Sequence, residues 1–109
     1  MQALENVVLR GDSGQEYIFN VFAPGAAIAP HAGVFLFARL RMDGEGGRNY
    51  EPLFLGQSED VSRLEIPEEL RRCIENRGCD VLLVHPNGIP HSRLYAETDL
   101  LDALDPPCN

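Results

Sequence analysis

The sequence contains no lysine and no tryptophan. Each of its nine basic side chains is therefore an arginine, the residue that makes forked contacts with phosphate or carboxylate. Biased codon usage accounts for the same gap. No apolar run approaches the ~20 residues that span a bilayer as a helix, and no basic-then-apolar leader precedes Gln15, so no membrane association is expected. Cysteine is scarce too. Cys73, Cys79 and Cys108 form an odd, motif-free set, the usage of reduced thiols in a cytoplasmic protein. Without a heptad pattern or another assembly signal, the expected state is a monomer or a small homo-oligomer.

What the chain has in excess is acid. Seventeen Asp and Glu against nine Arg give a net charge of -8, a field that repels nucleic acid and anionic membranes, so any phosphate contact has to be local. The imbalance is concentrated late. Residues 1–56 carry six acids and four arginines, whereas residues 57–109 carry eleven and five. With 109 residues, 44% of them hydrophobic, the chain suits a single domain over 1–109 with one substantial core.

Val7–Arg10 and Tyr17–Phe22 flank Gly11-Asp12-Ser13-Gly14, which reads as a hairpin. A loop rich in small residues, from Pro24-Gly25 to Pro30, leads into Gly33–Leu40, an almost continuous apolar run that suits a strand covered on both faces. After the turn Asp43–Asn49, Pro52–Gly56 reads as the returning strand. Proline at the first helical position, Glu68 and Glu69 at the positive end of the dipole, and Leu70, Cys73 and Ile74 on one face predict a helix from Pro67 until Gly78 stops it. Cys79–His85 is another strand, Pro86-Asn87-Gly88 breaks it, and a second helix runs from Pro90 to Leu104, closed by Pro106-Pro107. The order implies an α/β (α+β) domain with a small mixed or antiparallel sheet flanked by helices.

On the second helix, Leu94, Leu100, Leu101 and Leu104 form one stripe at about 100° per residue, and Glu97 falls inside it. A carboxylate facing a core is costly unless it is paired, hydrogen-bonded or bound to a cation. Two readings fit: a side chain that snorkels at the stripe's edge or caps an arginine, and a metal ligand.

Gly33-Val34-Phe35, then Phe54-Leu55-Gly56 some twenty residues on, Arg63, Glu97 on a late helix and a closing Pro107-Cys108-Asn109 follow one another as the motifs of the GIY-YIG nucleases do. Gln57-Ser58-Glu59-Asp60 and the Ala96–Leu101 helix also look like that family, so the chain resembles a GIY-YIG domain over residues 33–109. The resemblance implies that Glu97 holds one divalent cation, Mg²⁺ or Mn²⁺, against the scissile phosphate. Arg63 would offer its guanidinium to that phosphate, and Asn109 would brace the structure near the site. Gly33 and Gly56 are the motif glycines. Arg63 stands one residue closer to Gly56 than the family pattern has it, and the histidine that often follows is absent from Leu64–Leu70.

The chain departs from the family at its two namesake positions. The motif tyrosines, which in the family help position or deprotonate the attacking water, are here Phe35 and Phe54. Both keep the ring and lose the oxygen. Tyr50, an even number of residues before Phe54, would share its face on a regular strand, and His31 and His85 are the other candidates to replace the phenols. Their plain readings are a turn tyrosine, a loop histidine and a strand-end histidine bonded to backbone. His91 reads as an ordinary first-turn residue and Tyr95 as flank packing. Glu65, Glu68 and Glu69 crowd the region after Arg63, where a DNA-cleaving relative prefers basic residues. Two functions follow: a one-metal nuclease of weakened or lost activity, and a non-catalytic module on the same fold that binds a protein or another ligand.

Overall fold

The computed structural model describes residues 3–109. Five strands and two helices follow the order β1 (Glu5–Arg10), β2 (Glu16–Phe22), β3 (Gly33–Met42), β4 (Arg48–Ser58), α1 (Glu68–Asn76), β5 (Val81–Pro86) and α2 (Pro90–Leu104), with a 3-10 turn at Val61–Arg63 between β4 and α1. This is an α+β domain with a wholly antiparallel sheet, ordered β1-β2-β5-β3-β4. The two hairpins are consecutive in sequence but separated in space, because β5 inserts between them.

Alternation along the strands gives the sheet two apolar faces. Phe19, Val34, Leu36, Leu55 and Leu83 belong to one core, which Ala96 and Leu100 of α2 cover. Phe22, Phe35, Phe37, Leu53 and Val84 belong to the other, which Ile74 and Leu70 of α1 cover. Gly33–Ala38 is buried at every position, as an apolar run between two layers requires. The sheet also curls. Glu5 on β1 meets Arg48 and Tyr50 on β4, although these strands lie at opposite ends of the strand order.

The elements form where local chemistry permits them. Gly14 supplies the positive φ of the β1–β2 turn. The Asp43 carboxylate takes hydrogen bonds from the amides of Glu45 and Gly47 (2.8 and 2.7 Å) and closes the β3–β4 turn tightly, so β4 starts at Arg48 rather than at the expected Pro52. Pro67 is extended and precedes α1 instead of occupying its first turn. The helix ends in a Schellman arrangement, in which Gly78 at φ 80° lets the Cys79 and Gly78 amides bond to Ile74 and Glu75 carbonyls. Asp105, left-handed at φ 45°, terminates α2.

Three further expectations need correction. The apolar stripe of α2 is turned by rather less than one residue's 100°: Leu94 is 55% exposed, and the buried positions are Arg93, Ala96, Asp99 and Leu100. Two polar residues are buried on this face because each has its hydrogen bonds met there, a condition that counting apolar residues misses. Tyr50 does not share the face of Phe54. The register shift between Phe37 and Ala38 inserts Leu53 as an extra residue in β4, which reverses the alternation and sends Tyr50 to the α2 side. Finally, the cysteines are not all reduced: Cys73 and Cys108 form a disulfide and Cys79 is the free thiol. The chain's return along β4 brings Cys108 against α1, a contact that a 35-residue separation does not announce.

Candidate functional site

The residue pairing of β3 with β4 sets Phe35 directly opposite Gly56. A β-carbon on Gly56 would stand 2.8 Å from Cζ of Phe35 and 3.1 Å from Cε2 of Phe54, closer than packed carbons tolerate. The missing side chain lets two phenyl rings, centroids 6.1 Å apart and tilted by 35°, meet over the strand. Gly33 meets a different demand: a β-carbon there would lie 2.7 Å from the His85 carbonyl oxygen, so its bareness permits the close approach of β5.

Above the phenyl pair, at the β4 edge, opens a cleft of about 690 Å³. Phe35, Phe54, Gly56, Glu97 and Asn109 all line it. Leu70 and Cys73 of α1 form one wall, and Pro107 to Asn109 another. The structure therefore gathers five of the seven residues singled out as site or motif positions. Gly33 lies inside the sheet, and Arg63, the exposed last residue of the 3-10 turn, stands outside the cleft lining.

Glu97 enters from α2 and is half-buried. Its Oε1 accepts a hydrogen bond from Gln57 Nε2 (3.1 Å), while Gln57 Oε1 accepts one from Arg93 Nε (3.1 Å). Arg93 is 5% exposed and also donates to the Asn87 carbonyl (3.2 Å). A buried guanidinium thus orients a glutamine, and the glutamine orients the carboxylate. Among the described residues no protein donor reaches Glu97 Oε2. Gln57 was legible as a motif neighbour. Arg93 carried no signal, because a lone arginine on a helix reads as surface.

Asn109 holds the cleft's outer wall in place. Its side-chain amide donates to the Leu55 carbonyl (2.8 Å) and accepts from the Leu55 amide (2.9 Å), completing one rung of a ladder on the edge strand. The Cys108 amide bonds to the Leu53 carbonyl (2.8 Å), and the Cys73–Cys108 cross-link fastens the same segment to α1.

The charge around the cleft is of one sign. Glu65, Glu69 and Glu97 line it, and among the described residues no arginine or histidine does. Nor do three or more His, Cys, Asp or Glu side chains converge anywhere among them to hold a cation. Tyr50, His85 and His31, considered for the role of the phenols that the resemblance implies, are engaged elsewhere. The Tyr50 hydroxyl donates to Glu5, and burial followed by that bond pushes its pKa up to about 12. His85 Nδ1 lies 2.9 Å from the Ile18 carbonyl, and His31 Nδ1 lies 2.8 Å from the Ala29 carbonyl. Neither histidine lines the cleft.

A buried carboxylate lies at the far side of α2. Asp99, 7% exposed, accepts from the Ser13 amide (2.8 Å), the Ser13 hydroxyl (2.7 Å) and the Tyr17 hydroxyl (2.8 Å). Desolvation raises its pKa, but these hydrogen bonds outweigh it and hold the carboxyl below its ordinary value. These bonds tie the β1–β2 turn, through Ser13, and the start of β2, through Tyr17, to α2. No helix among the described residues is long and apolar enough to cross a membrane. The chain matches no known protein-family model, no curated protein and no solved structure.

Proposed function

We propose that this chain is a GIY-YIG-like domain that keeps the fold without the phosphodiester chemistry, and that its cleft serves as a binding site for a protein or other ligand. The observation that carries this reading is the lining of the cleft: two phenyl rings where phenols would act, three carboxylates, and no arginine among the described residues. A phosphodiester entering there meets repulsion from Glu65 and Glu69 with no guanidinium to offset it. One divalent cation on Glu97 Oε2 would draw the rest of its coordination shell from water and substrate phosphate, and that phosphate is what the rim repels. General acid-base help of the kind the missing hydroxyls supply is typically worth about a hundredfold to ten-thousandfold in rate.

The nuclease reading has one observation in its favour, the unengaged Glu97 Oε2 within the cleft. On that reading Glu97 holds Mg²⁺ or Mn²⁺, and Arg63 has to reach the phosphate from outside the lining. The Cys73–Cys108 cross-link favours an oxidising compartment over the cytoplasm, because disulfides persist where thiols are not kept reduced.

A plasmid-nicking assay with Mg²⁺ and then Mn²⁺, run on the unaltered chain and on Glu97→Ala purified identically, tests the proposal. Absent nicking, or equal nicking in both preparations, is the expected result. Metal-dependent nicking that disappears in Glu97→Ala overturns it.

A further inference from the structure

We infer that the cleft receives a cationic side chain, the arginine or lysine of a basic peptide segment in a partner protein, with its charged head against Glu97 and the phenyl floor. The inference rests on the binding-module reading and adds the chemistry of the occupant.

Charge complementarity decides the sign of that occupant. All three ionisable side chains lining the cleft, Glu65, Glu69 and Glu97, are acids, and they come from two separate parts of the chain. An anion is repelled by every one of them, and a neutral apolar ligand brings the half-buried Glu97 no partner of opposite charge. A guanidinium or ammonium offsets the carboxylate, and Phe35 and Phe54, which line the cleft, supply aromatic rings to which such a cation is attracted. The two rings are already together because Gly56 has no side chain to part them.

Glu97 is also set before a ligand arrives. Arg93 fixes Gln57, Gln57 fixes Oε1, and Oε2 is left for an incoming donor. A carboxylate oriented in this way loses little conformational freedom on binding. The mode of recognition follows from the edge strand. The backbone groups of Leu55 are occupied by Asn109 and the Leu53 carbonyl by Cys108, so a partner cannot add there as a further strand and has to be recognised through its side chains.

The test is fluorescence anisotropy with a labelled peptide of alternating arginine and glycine, beside a counterpart carrying glutamate for arginine. Only the arginine peptide is expected to bind, with affinity falling as salt is raised. Glu97→Gln keeps the shape of the side chain and the Gln57 contact and should weaken binding tenfold or more. The double change Glu65→Gln and Glu69→Gln should weaken it severalfold, as should Phe54→Leu, which keeps apolar volume and loses the ring. Glu16→Gln, on β2 and away from the cleft, should have no effect. Circular dichroism of each variant confirms that it folds.

No binding by the folded unaltered chain overturns the inference, as does equal weakening by Glu16→Gln and Glu97→Gln, which marks attraction by net charge alone. Binding of spermine, lost in Glu97→Gln, with no binding of the peptide assigns the cleft to a small amine and overturns the peptide occupant. Nicking measured in the same preparations separates the two claims. No nicking and no peptide binding sinks only this inference, whereas Glu97-dependent nicking with metal sinks the binding-module reading and the inference together.

Discussion

Glu5 and Tyr50 sit on the first and last strands of the sheet order and share a hydrogen bond. The contact closes the curl with side chains where no backbone ladder runs, and Arg48 adds an ion pair to the same carboxylate at 3.1 Å. Glu5 is held below its ordinary pKa by Tyr50 first and Arg48 second, and Tyr50 is raised to about 12. Since the folded pKa of Tyr50 lies above the ordinary phenol value of 10.0, the contribution is complete below pH 10 and is lost as pH rises towards 12. Tyr50→Phe should lower stability by about 1 kcal/mol at pH 7, with a smaller difference at pH 11.5, measured by urea denaturation. An unchanged midpoint at pH 7 would show that the two edges do not depend on this bond.

Asp99 predicts the acid side. Its folded pKa is below the ordinary aspartate value of 3.8, so its stabilising effect is present above pH 3.8 and disappears as pH falls through the lower folded value. Asp99→Asn should therefore destabilise the protein at neutral pH and flatten the loss of stability between pH 5 and pH 2. Amide exchange should accelerate most at Ser13, whose N–H donates to the carboxylate. The unaltered and Asp99→Asn proteins losing stability in parallel on acidification would count against this account.

How far each feature could be read in advance depended on how local its cause is. Both hairpins, the apolar β3, the full extent of α2 and the α+β class followed from alternation, turn residues and helix boundaries, all set within a few residues of one another. The cleft was partly legible because Phe35, Gly56 and Glu97, each singled out in a short stretch of sequence, all line it. What stayed hidden was long-range. The extra residue at Leu53 reversed the face of Tyr50, Arg93 became buried only because Gln57 and Asn87 meet it, and Cys73 found Cys108 across the fold.

Gly56 separates packing from chain flexibility. Alanine there drives a methyl into two phenyl rings and should cost about 1–3 kcal/mol, as overpacked cores do. Gly44 has open space around its α-carbon and no positive φ, so Gly44→Ala should be neutral or stabilising by up to about 1 kcal/mol. Thermal unfolding of both variants checks the pair. Similar melting temperatures for the two would mean that the phenyl floor yields easily.

The Cys73–Cys108 bond closes a loop across 35 residues, for which chain entropy gives about 3–4 kcal/mol of stabilisation. Thiol titration of the native protein should find one reactive group on unfolding, Cys79, and three after reduction. The double variant Cys73→Ser and Cys108→Ser should unfold at a lower denaturant concentration. It should also show faster exchange at the Leu55 amide, because the segment that carries Asn109 loses its covalent anchor.

The rotation of α2 makes the sharpest contrast between sequence pattern and packing. A stripe drawn through the leucines treats Leu94 and Leu100 as equivalent, yet Leu100 is fully buried against the sheet and Leu94 is 55% exposed. Truncating a buried leucine removes its transfer free energy and leaves a cavity, so Leu100→Ala should cost about 2–5 kcal/mol. Leu94→Ala removes surface that water already reaches, and alanine is the better helix former, so its effect should stay within about 0.5 kcal/mol. Chemical denaturation of the two variants distinguishes the faces directly. If Leu94→Ala proved the costlier change, α2 would have to turn back towards the leucine stripe, taking Arg93 out of reach of Gln57 and releasing the hydrogen bond that orients Glu97.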